Sequence, residues 1–191
     1  MRVVAFNGSP RAGGNTEQMI RLVFAELEQA GIDTELVQIG GQLLSGCRAC
    51  QTCKKLKNLR CSIEDDMIND CIAKMLDADG IIIGSPTYVS DLTTETKALI
   101  DRATYVLRAN GHPLTRKAGA AVSPARRAGA IHALDSINHF FSVNGMYLVG
   151  ASYWNLCIGR EPGEIKDDAE GVRCLQNLGQ NMAWLLSRLA E

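Results

Sequence analysis

The stretch Asn7-Gly8-Ser9-Pro10-Arg11-Ala12-Gly13-Gly14-Asn15-Thr16 stands between an apolar segment, residues 3–6, and residues 19–27, whose apolar side chains recur with helical spacing. This order predicts a strand, a loop of small residues and the start of a helix. The free backbone N–H groups of such a loop and the positive end of the helix dipole point to one place, which suits an anion. Glycine residues let the backbone approach a phosphate closely.

Four side chains of this loop add hydrogen-bond donors. Ser9, Asn15 and Thr16 supply hydroxyl or amide groups, and Arg11 supplies a planar guanidinium that matches phosphate oxygens. The loop has no G-x-x-x-x-G-K-[ST] and no G-x-G-x-x-G motif, which excludes a Walker-type site and a dinucleotide fingerprint. A single phosphate, as in a mononucleotide, is the ligand that remains. The alternative is an ordinary βα turn rich in small residues.

The length of 191 residues and the formal net charge of −1 limit the possible classes of protein. The length suits one domain, residues 1–191, with a cysteine-rich insertion at about residues 46–62. The small net charge excludes a global field that would recruit nucleic acid or an acidic membrane surface. The chain shows no run of eighteen apolar residues and no signal-peptide pattern, so we expect a cytoplasmic protein.

Segments of strand type alternate with segments of helical periodicity five times along the chain. The continuous apolar run at 80–84, Gly-Ile-Ile-Ile-Gly, is typical of a central parallel strand buried on both faces. The alternation predicts an α/β fold: a flavodoxin-like, doubly wound, five-stranded parallel sheet of order 2-1-3-4-5 in three α/β/α layers. The predicted strands are residues 3–6, 34–39, 80–84, 118–122 and 146–150, and the predicted helices begin near residues 15, 66, 93, 130 and 167.

In this strand order, ligands bind outside the carboxyl ends of the strands, where the loops after strands 1, 3 and 4 meet. The second of these loops reads Ser85-Pro86-Thr87-Tyr88-Val89-Ser90-Asp91, and the third reads Ser123-Pro124-Ala125-Arg126-Arg127-Ala128-Gly129. Both contain the small, polar and proline residues that such a site needs. The alternatives are a turn whose Tyr88 covers the core and a solvated helix start that carries the two arginines.

Four cysteines fall within fifteen residues, at Cys47, Cys50, Cys53 and Cys61. Two C-x2-C steps and a later cysteine place thiols on one side of a turning loop, which is ligand geometry for a [4Fe–4S] cluster. An all-cysteine zinc site is one alternative, and free thiols or a redox disulfide are another. We expect the other three of the seven cysteines to pack as small apolar residues.

The cysteine segment also carries four basic residues. They form a solvated loop surface, or they offset the charge of a thiolate-bound cluster, or they dock an acidic redox partner. These residues are Lys54, Lys55, Lys57 and Arg60.

The loops of this chain resemble those of the NADPH-dependent FMN reductase family of flavodoxin-like proteins. The resemblance rests on Gly8-Ser9-Pro10-Arg11 with Gly14-Asn15-Thr16, and on Gly84-Ser85-Pro86-Thr87-Tyr88. It covers essentially the whole chain, including Arg126-Arg127-Ala128-Gly129. The cysteine segment resembles the compact motif of the iron–sulfur flavoprotein branch, and also that of relatives whose cysteines hold no cluster. Its gap of seven residues before Cys61 is long for that branch.

The resemblance implies bound FMN. Backbone N–H groups of the loop after strand 3 can then hydrogen-bond the edge of the flavin ring, and Tyr88 can pack against it. The implied phosphate-binding residues are Ser9, Arg11, Gly14, Asn15 and Thr16. The implied ring-binding residues are Pro86, Thr87, Tyr88, Val89 and Ser90, and further implied FMN-binding residues after strand 4 are Ser123, Arg126 and Gly129.

No motif of acid–base or nucleophilic catalysis is present, so we nominate no catalytic side chain. A flavin needs none in principle, because it carries the reaction and the protein positions it. We therefore predict an FMN-dependent oxidoreductase that uses NAD(P)H to reduce flavin, quinone or similar acceptors. The alternative is an iron–sulfur flavoprotein that carries electrons between ferredoxin and an unknown acceptor. A flavin-binding sensor is a third hypothesis.

The resemblance also implies a homodimer or homotetramer with FMN near the subunit interface. The last helix has an apolar stripe that serves either such an interface or the core of its own chain. Its residues are Leu175, Leu178, Met182, Leu185 and Leu186.

Overall fold

The computed structural model describes residues 1–190 and contains a wholly parallel sheet of order β2-β1-β3-β4-β5, with β6 also paired to β4. This order confirms the predicted flavodoxin-like topology. The strands are β1 (Arg2–Asn7), β2 (Asp33–Gln38), β3 (Gly80–Gly84), β4 (Ala118–Ala125), β5 (Tyr147–Leu148) and β6 (Leu156–Ile158). The helices are α1 (Asn15–Gln29), α2 (Thr52–Leu56), α3 (Ile68–Asp77), α4 (Thr94–Ala109), α5 (Ala130–Val143) and α6 (Ala169–Leu189), with a 3-10 turn at Glu164–Asp167.

Alternate side chains of the central strands enter two separate cores, one on each face of the sheet. Val3 and Ala5 pack with α1 and α6, whereas Val4 and Phe6 pack with α3, α4 and α5. All five residues of β3 are buried. Burial on both faces explains why these strands are continuous apolar runs.

The apolar stripe of α6 belongs to the core of its own chain. Leu175, Leu178 and Met182 are fully buried, and they pack in the same core as α1. Of the two interpretations of this stripe, the intramolecular one is confirmed.

On the side of β4 away from β3, the sheet continues with two short strands, β5 and β6. The sequence instead predicts one strand at 146–150 and a loose stretch after it. Tyr147 of β5 pairs with Ala118 at the start of β4, and Leu156 of β6 pairs with Ser123 near the end of β4. Residues 149–155 leave the sheet between these two pairings. Only the tertiary structure places the second piece, because three residues give too short a pattern to identify a strand.

A second difference is α2, a five-residue helix inside the cysteine segment. Its flanking residues, Gln51 and Lys57, both have left-handed backbone conformations. The sequence of this helix shows no apolar periodicity, so its position follows from the packing of the segment on α4. None of the helices within residues 1–190 combines the length and the apolar character that crossing a membrane requires.

We expect the ion pairs of Glu35 to give an acid-sensitive contribution to stability. Its carboxylate contacts Lys74, and it also contacts Arg2 at 2.5 Å. Hydrogen bonds from Lys74 and Arg2 outweigh burial and hold the pKa of Glu35 below its ordinary value. A depressed pKa stabilises the fold above the unfolded value of about 4.3. That contribution disappears as the pH falls through the folded value.

The melting temperatures of the wild type and Glu35→Gln should therefore differ most at neutral pH and converge in acid. Thermal unfolding followed by circular dichroism between pH 7 and pH 3 measures this difference. Glu64→Gln is the matched control, because Glu64 is an exposed glutamate. A Glu35→Gln difference that stays constant with pH would contradict the assignment.

Candidate functional site

The loops after β1, β3 and β4 meet in one cleft at the carboxyl end of the sheet, together with the loop after β6. The cleft contains nine of the residues that the sequence nominates: Ser9, Arg11, Gly14, Asn15, Thr16, Pro86, Thr87, Tyr88 and Arg126. Its remaining lining residues are Pro124, Ala125, Gly159, Arg160 and Pro162. The loop after β6 lies in this cleft because β6 pairs with the end of β4.

The β1 loop turns tightly through its own hydrogen bonds. The Ser9 hydroxyl accepts from the backbone N–H of Arg11 at 3.2 Å, and the N–H of Gly14 donates to the carbonyl of Arg11 at 3.1 Å. A Cβ atom at Gly14 would lie 2.9 Å from that carbonyl oxygen. No side chain caps the start of α1, so its first N–H groups remain available for an anion.

Thr16 gives the clearest indication that this cleft binds a ligand. Thr16 is only 1% exposed, and its hydroxyl has no hydrogen-bond partner among the described residues. The methyl group packs against β3, where a Cβ at Gly84 would lie 2.9 Å from Thr16 Cγ2. An unpaired buried hydroxyl is unfavourable, since it has lost its water. The hydroxyl therefore fits a ligand oxygen that completes the site.

Asn15 has a different task from the one that the sequence suggests. Its side-chain amide donates to the carbonyls of Gly159 and Glu161 and accepts from the N–H of Gly163 at 2.7 Å. These bonds hold the loop after β6 against the start of α1. A hydrogen bond from Asn15 to a phosphate would thus come from its backbone N–H group and not from its side-chain amide.

The β3 loop contains a strained turn. Tyr88 and Asp91 exchange two backbone hydrogen bonds, of 2.7 and 2.9 Å, around Val89 and Ser90. Both central residues have positive φ, 50° and 60°, in a turn of a kind that usually carries Asn-Gly. A left-handed valine costs on the order of 1–3 kcal/mol, and such strain concentrates at functional sites. Val89 is fully exposed and Tyr88 is half exposed, so the turn projects from the rim of the cleft.

Contacts with the end of β4 and with the loop after it hold this turn in place. Thr87 Oγ1 donates to the carbonyl of Pro124 at 2.9 Å and lies 3.2 Å from the hydroxyl of Ser123. Gly129 has a φ of +92°, and a Cβ there would lie 2.9 Å from Ser90 Oγ. Ser123 and Gly129 are therefore supports behind the cleft, and they are not among the residues that line it.

The four clustered cysteines surround a second, smaller cavity beside α4. They share it with Arg102 and Tyr105 of that helix. Among the described residues, no group of three or more His, Cys, Asp or Glu side chains could hold a single metal ion. The four cysteines that line the cavity are Cys47, Cys50, Cys53 and Cys61.

The backbone around these cysteines is unusual. Ala49, Gln51, Lys57 and Leu59 all have φ between 49° and 63°, although none of them is glycine. Alternation of right- and left-handed residues turns successive N–H groups inward, an arrangement that binds phosphates and iron–sulfur clusters. The N–H of Ala49 already donates to Cys47 Sγ at 3.4 Å.

The pKa of Cys50 and those of two buried cysteines outside the segment are shifted in opposite directions. Hydrogen bonds from Ser62 and Thr52 lower the pKa of Cys50 to about 7. Burial instead raises the pKa of Cys71 and of Cys157 to about 12. Cys174 is 2% exposed and also buried. These last three cysteines pack as apolar residues, as predicted, while the clustered ones remain accessible.

We predict opposite effects of Thr16→Val on stability and on ligand binding. Without ligand, removing the unpaired hydroxyl should raise the free energy of unfolding by about 1 kcal/mol. With FMN, the ligand that the sequence resemblance implies, affinity should fall about tenfold through loss of a bond to a charged group. Denaturant unfolding of the apoprotein and a fluorescence titration with FMN measure the two effects.

Thr96→Val is the matched control for this prediction. Thr96 is also fully buried, but its hydroxyl lies 2.9 Å from that of Thr93. This substitution should lower the stability of the apoprotein, because it breaks a bond that exists. Equal destabilisation by the two substitutions would mean that Thr16 has a partner in the free protein.

Comparison with known proteins supports the same assignment of family. A family model described as NADPH-dependent FMN reductase matches residues 1–161. An iron-sulfur flavoprotein of Methanocaldococcus jannaschii is 35% identical over 190 residues, which cover 96% of each chain. An iron-sulfur flavoprotein of Methanosarcina thermophila is 34% identical and matches 100% of this chain and 98% of its own length.

Among solved structures, a flavodoxin, WrbA-like protein from Agrobacterium tumefaciens has a TM-score of 0.68. The match covers 98% of this chain and 97% of that one, at 15% identity, so it bears on the fold alone. The matches in sequence bear on the family as well as on the fold, since they include the cysteine segment and the loops of the cleft. The chain belongs to the NADPH-dependent FMN reductase family, and its curated relatives within that family are iron–sulfur flavoproteins.

Proposed function

We propose that the chain is an FMN-dependent oxidoreductase that accepts electrons from NAD(P)H and reduces a flavin, a quinone or a similar acceptor. The observation that carries this proposal is the buried, unpaired hydroxyl of Thr16 at an uncapped helix start. A phosphate group would accept hydrogen bonds from this hydroxyl and from the free N–H groups of α1. Family membership makes FMN the ligand that brings such a phosphate.

The rest of the cleft fits the other parts of FMN. Arg11 and Arg126 add positive charge on two sides, and the loop of Pro86, Thr87 and Tyr88 forms one wall. When bound, FMN supplies the acceptance and release of hydride or single electrons. The contribution of the protein is to bind the phosphate, orient the ring and keep the strained β3 turn in one conformation.

A second candidate function is electron transfer through a [4Fe–4S] cluster held by Cys47, Cys50, Cys53 and Cys61. It is favoured by the four thiols around one cavity and by the left-handed backbone residues among them, a feature of backbone sites that bind iron–sulfur clusters. The names of the relatives point the same way. In this function the donor or acceptor is another redox protein, such as a ferredoxin.

We also propose a homo-oligomer. The buried stripe of α6 does not serve it, but Tyr153 and Trp154 remain more than half exposed beside β6, with ring centroids 4.6 Å apart. Exposed aromatic pairs are common at subunit interfaces. Replacement of Trp154 by Ser should shift the mass measured by light scattering toward the monomer, whereas replacement of the exposed Leu43 by Ser should not.

The first experiment is purification without air, followed by absorption spectroscopy with flavin and iron analysis. We expect one FMN per chain, and about four irons per chain if the second function holds. Steady-state oxidation of NADH and NADPH then tests the reductase. Turnover with either nucleotide supports it, and bound FMN that neither nucleotide reduces would contradict it. Flavin without iron would remove the second function.

Gly40→Ala tests the cleft itself. A Cβ at Gly40 would lie 2.2 Å from the carbonyl carbon of Ser9, so the substitution must push the β1 loop away. We expect FMN affinity to fall at least about tenfold, as measured by the fluorescence titration. Gly150→Ala is the control, because a Cβ there meets nothing within 4 Å. Unchanged affinity of Gly40→Ala would mean that FMN binds elsewhere.

A further inference from the structure

Arg102 is the largest fully buried side chain of the protein's described part, and it lies outside the cleft. It projects from α4 into the cysteine segment and contacts both ends of it. Nη1 donates to the carbonyl of Ser45 at 3.1 Å, and Nη2 donates to the carbonyl of Ile63 at 3.0 Å. Nε donates to Cys61 Sγ at 3.3 Å. One guanidinium thus joins the start of the segment, its end and one of the four thiols.

The charge of Arg102 is balanced by a single carboxylate. Asp66 pairs with Nη1, and its side chain is only 5% exposed. Burial raises the pKa of Asp66, but the hydrogen bond and charge of Arg102, together with the backbone N–H groups of Ile68 and Ser45, outweigh burial and leave that pKa below its ordinary value. Asp66 also accepts from the N–H of Ile68 at 3.1 Å, so the pair is anchored at the start of α3.

Stability alone is a poor reason to bury this ion pair. Removing two charges from water costs several kcal/mol each, and apolar side chains of equal volume often serve as well. The guanidinium does what an apolar side chain would not do: it places a charged N–H donor on the sulfur of Cys61. Hydrogen bonds to ligand sulfurs and nearby positive charge favour the more negative state of a cluster.

We propose that Arg102 fixes the position of Cys61 and raises the reduction potential of the cluster bound in the cysteine cavity, with Asp66 moderating its charge. This inference rests on the second proposed function. Reduction adds one electron, and so one negative charge, to the cluster. The positive charge of Arg102 next to one ligand sulfur stabilises that added charge. Arg102 is a positioning residue, since it acts through the sulfur.

The two members of the ion pair give a test that separates electrostatics from structure. Arg102→Gln removes the positive charge and should lower the equilibrium constant for one-electron reduction about tenfold, which is 59 mV to more negative potential. Asp66→Asn keeps the shape of the side chain and one acceptor oxygen for Arg102 but removes the balancing negative charge, so it should raise that constant. A merely structural role would disturb the cluster in the same direction in both variants.

The measurement is an anaerobic redox titration of the intact holoprotein, with the reduced cluster followed by EPR and iron content determined for each sample. Arg108→Gln and Asp65→Asn are the matched controls, since each removes the same charge at an exposed position nearby. Exposed charges are screened by solvent, so both should shift the constant much less. Flavin content and melting temperature report whether each variant is folded.

Asp66→Asn decides the question if Arg102→Gln does not retain iron, because it keeps the guanidinium on Cys61. Absence of an upward shift in Asp66→Asn, or a shift no larger than that of Asp65→Asn, would overturn the inference. Wild-type protein with flavin but without iron would instead contradict the proposed cluster, and the inference with it. If all variants retain iron and their equilibrium constants for one-electron reduction are unchanged, the role of Arg102 is refuted while the proposed cluster stands.

Discussion

Close contact between backbone segments at the carboxyl ends of β1, β2 and β3 is the constraint on which the candidate sites depend. The N–H of Gly8 donates to the carbonyl of Gly84 at 2.7 Å, and the N–H of Gly40 donates to that of Asn7 at 2.9 Å. A Cβ at Gly8 would lie 2.0 Å from Thr96 Oγ1. Side chains at these positions would separate the loops, so the cleft exists because glycine stands there.

Helix α4 transmits this constraint from one candidate site to the other. Thr93, at its N-cap, donates through its hydroxyl to the carbonyl of Gly8 at 3.0 Å, which ties the helix to the phosphate loop. Arg102 follows nine positions later, about 14 Å along the helix at 1.5 Å per residue. The cleft and the cysteine cavity are therefore held apart at a fixed distance by one rigid element, and a shift of α4 would disturb both.

Both sites also concentrate unfavourable backbone conformations. Val89 and Ser90 border the cleft, and Ala49 and Gln51 lie among the cysteines, all with positive φ. Such conformations persist only where the surrounding contacts determine them. At the cleft these contacts come from Thr87 and Gly129. The same protein thus places its strain where a ligand would interact with backbone N–H groups.

The topology, the location of the cleft and most of its lining follow from the amino-acid pattern alone. Alternating apolar runs and helical spacing suffice for a doubly wound sheet, and this topology brings the loops after β1, β3 and β4 together. The residues that escaped prediction do so for a physical reason. Gly159 and Pro162 reach the cleft because β6 pairs with the end of β4, and a strand of three residues is too short to show an apolar pattern.

The tertiary structure alone decided what individual side chains do. The sequence offers Asn15 and Thr16 as equivalent donors, but the folded chain uses the Asn15 amide to hold the loop after β6 and leaves the Thr16 hydroxyl unpaired. It offers Arg102 only as one charge on an amphipathic helix. Its role beside Cys61 arises because segments 41 positions apart in the chain come within hydrogen-bonding distance. Local patterns determine elements, whereas hydrogen-bond partners so far apart in sequence are set only when the chain has packed.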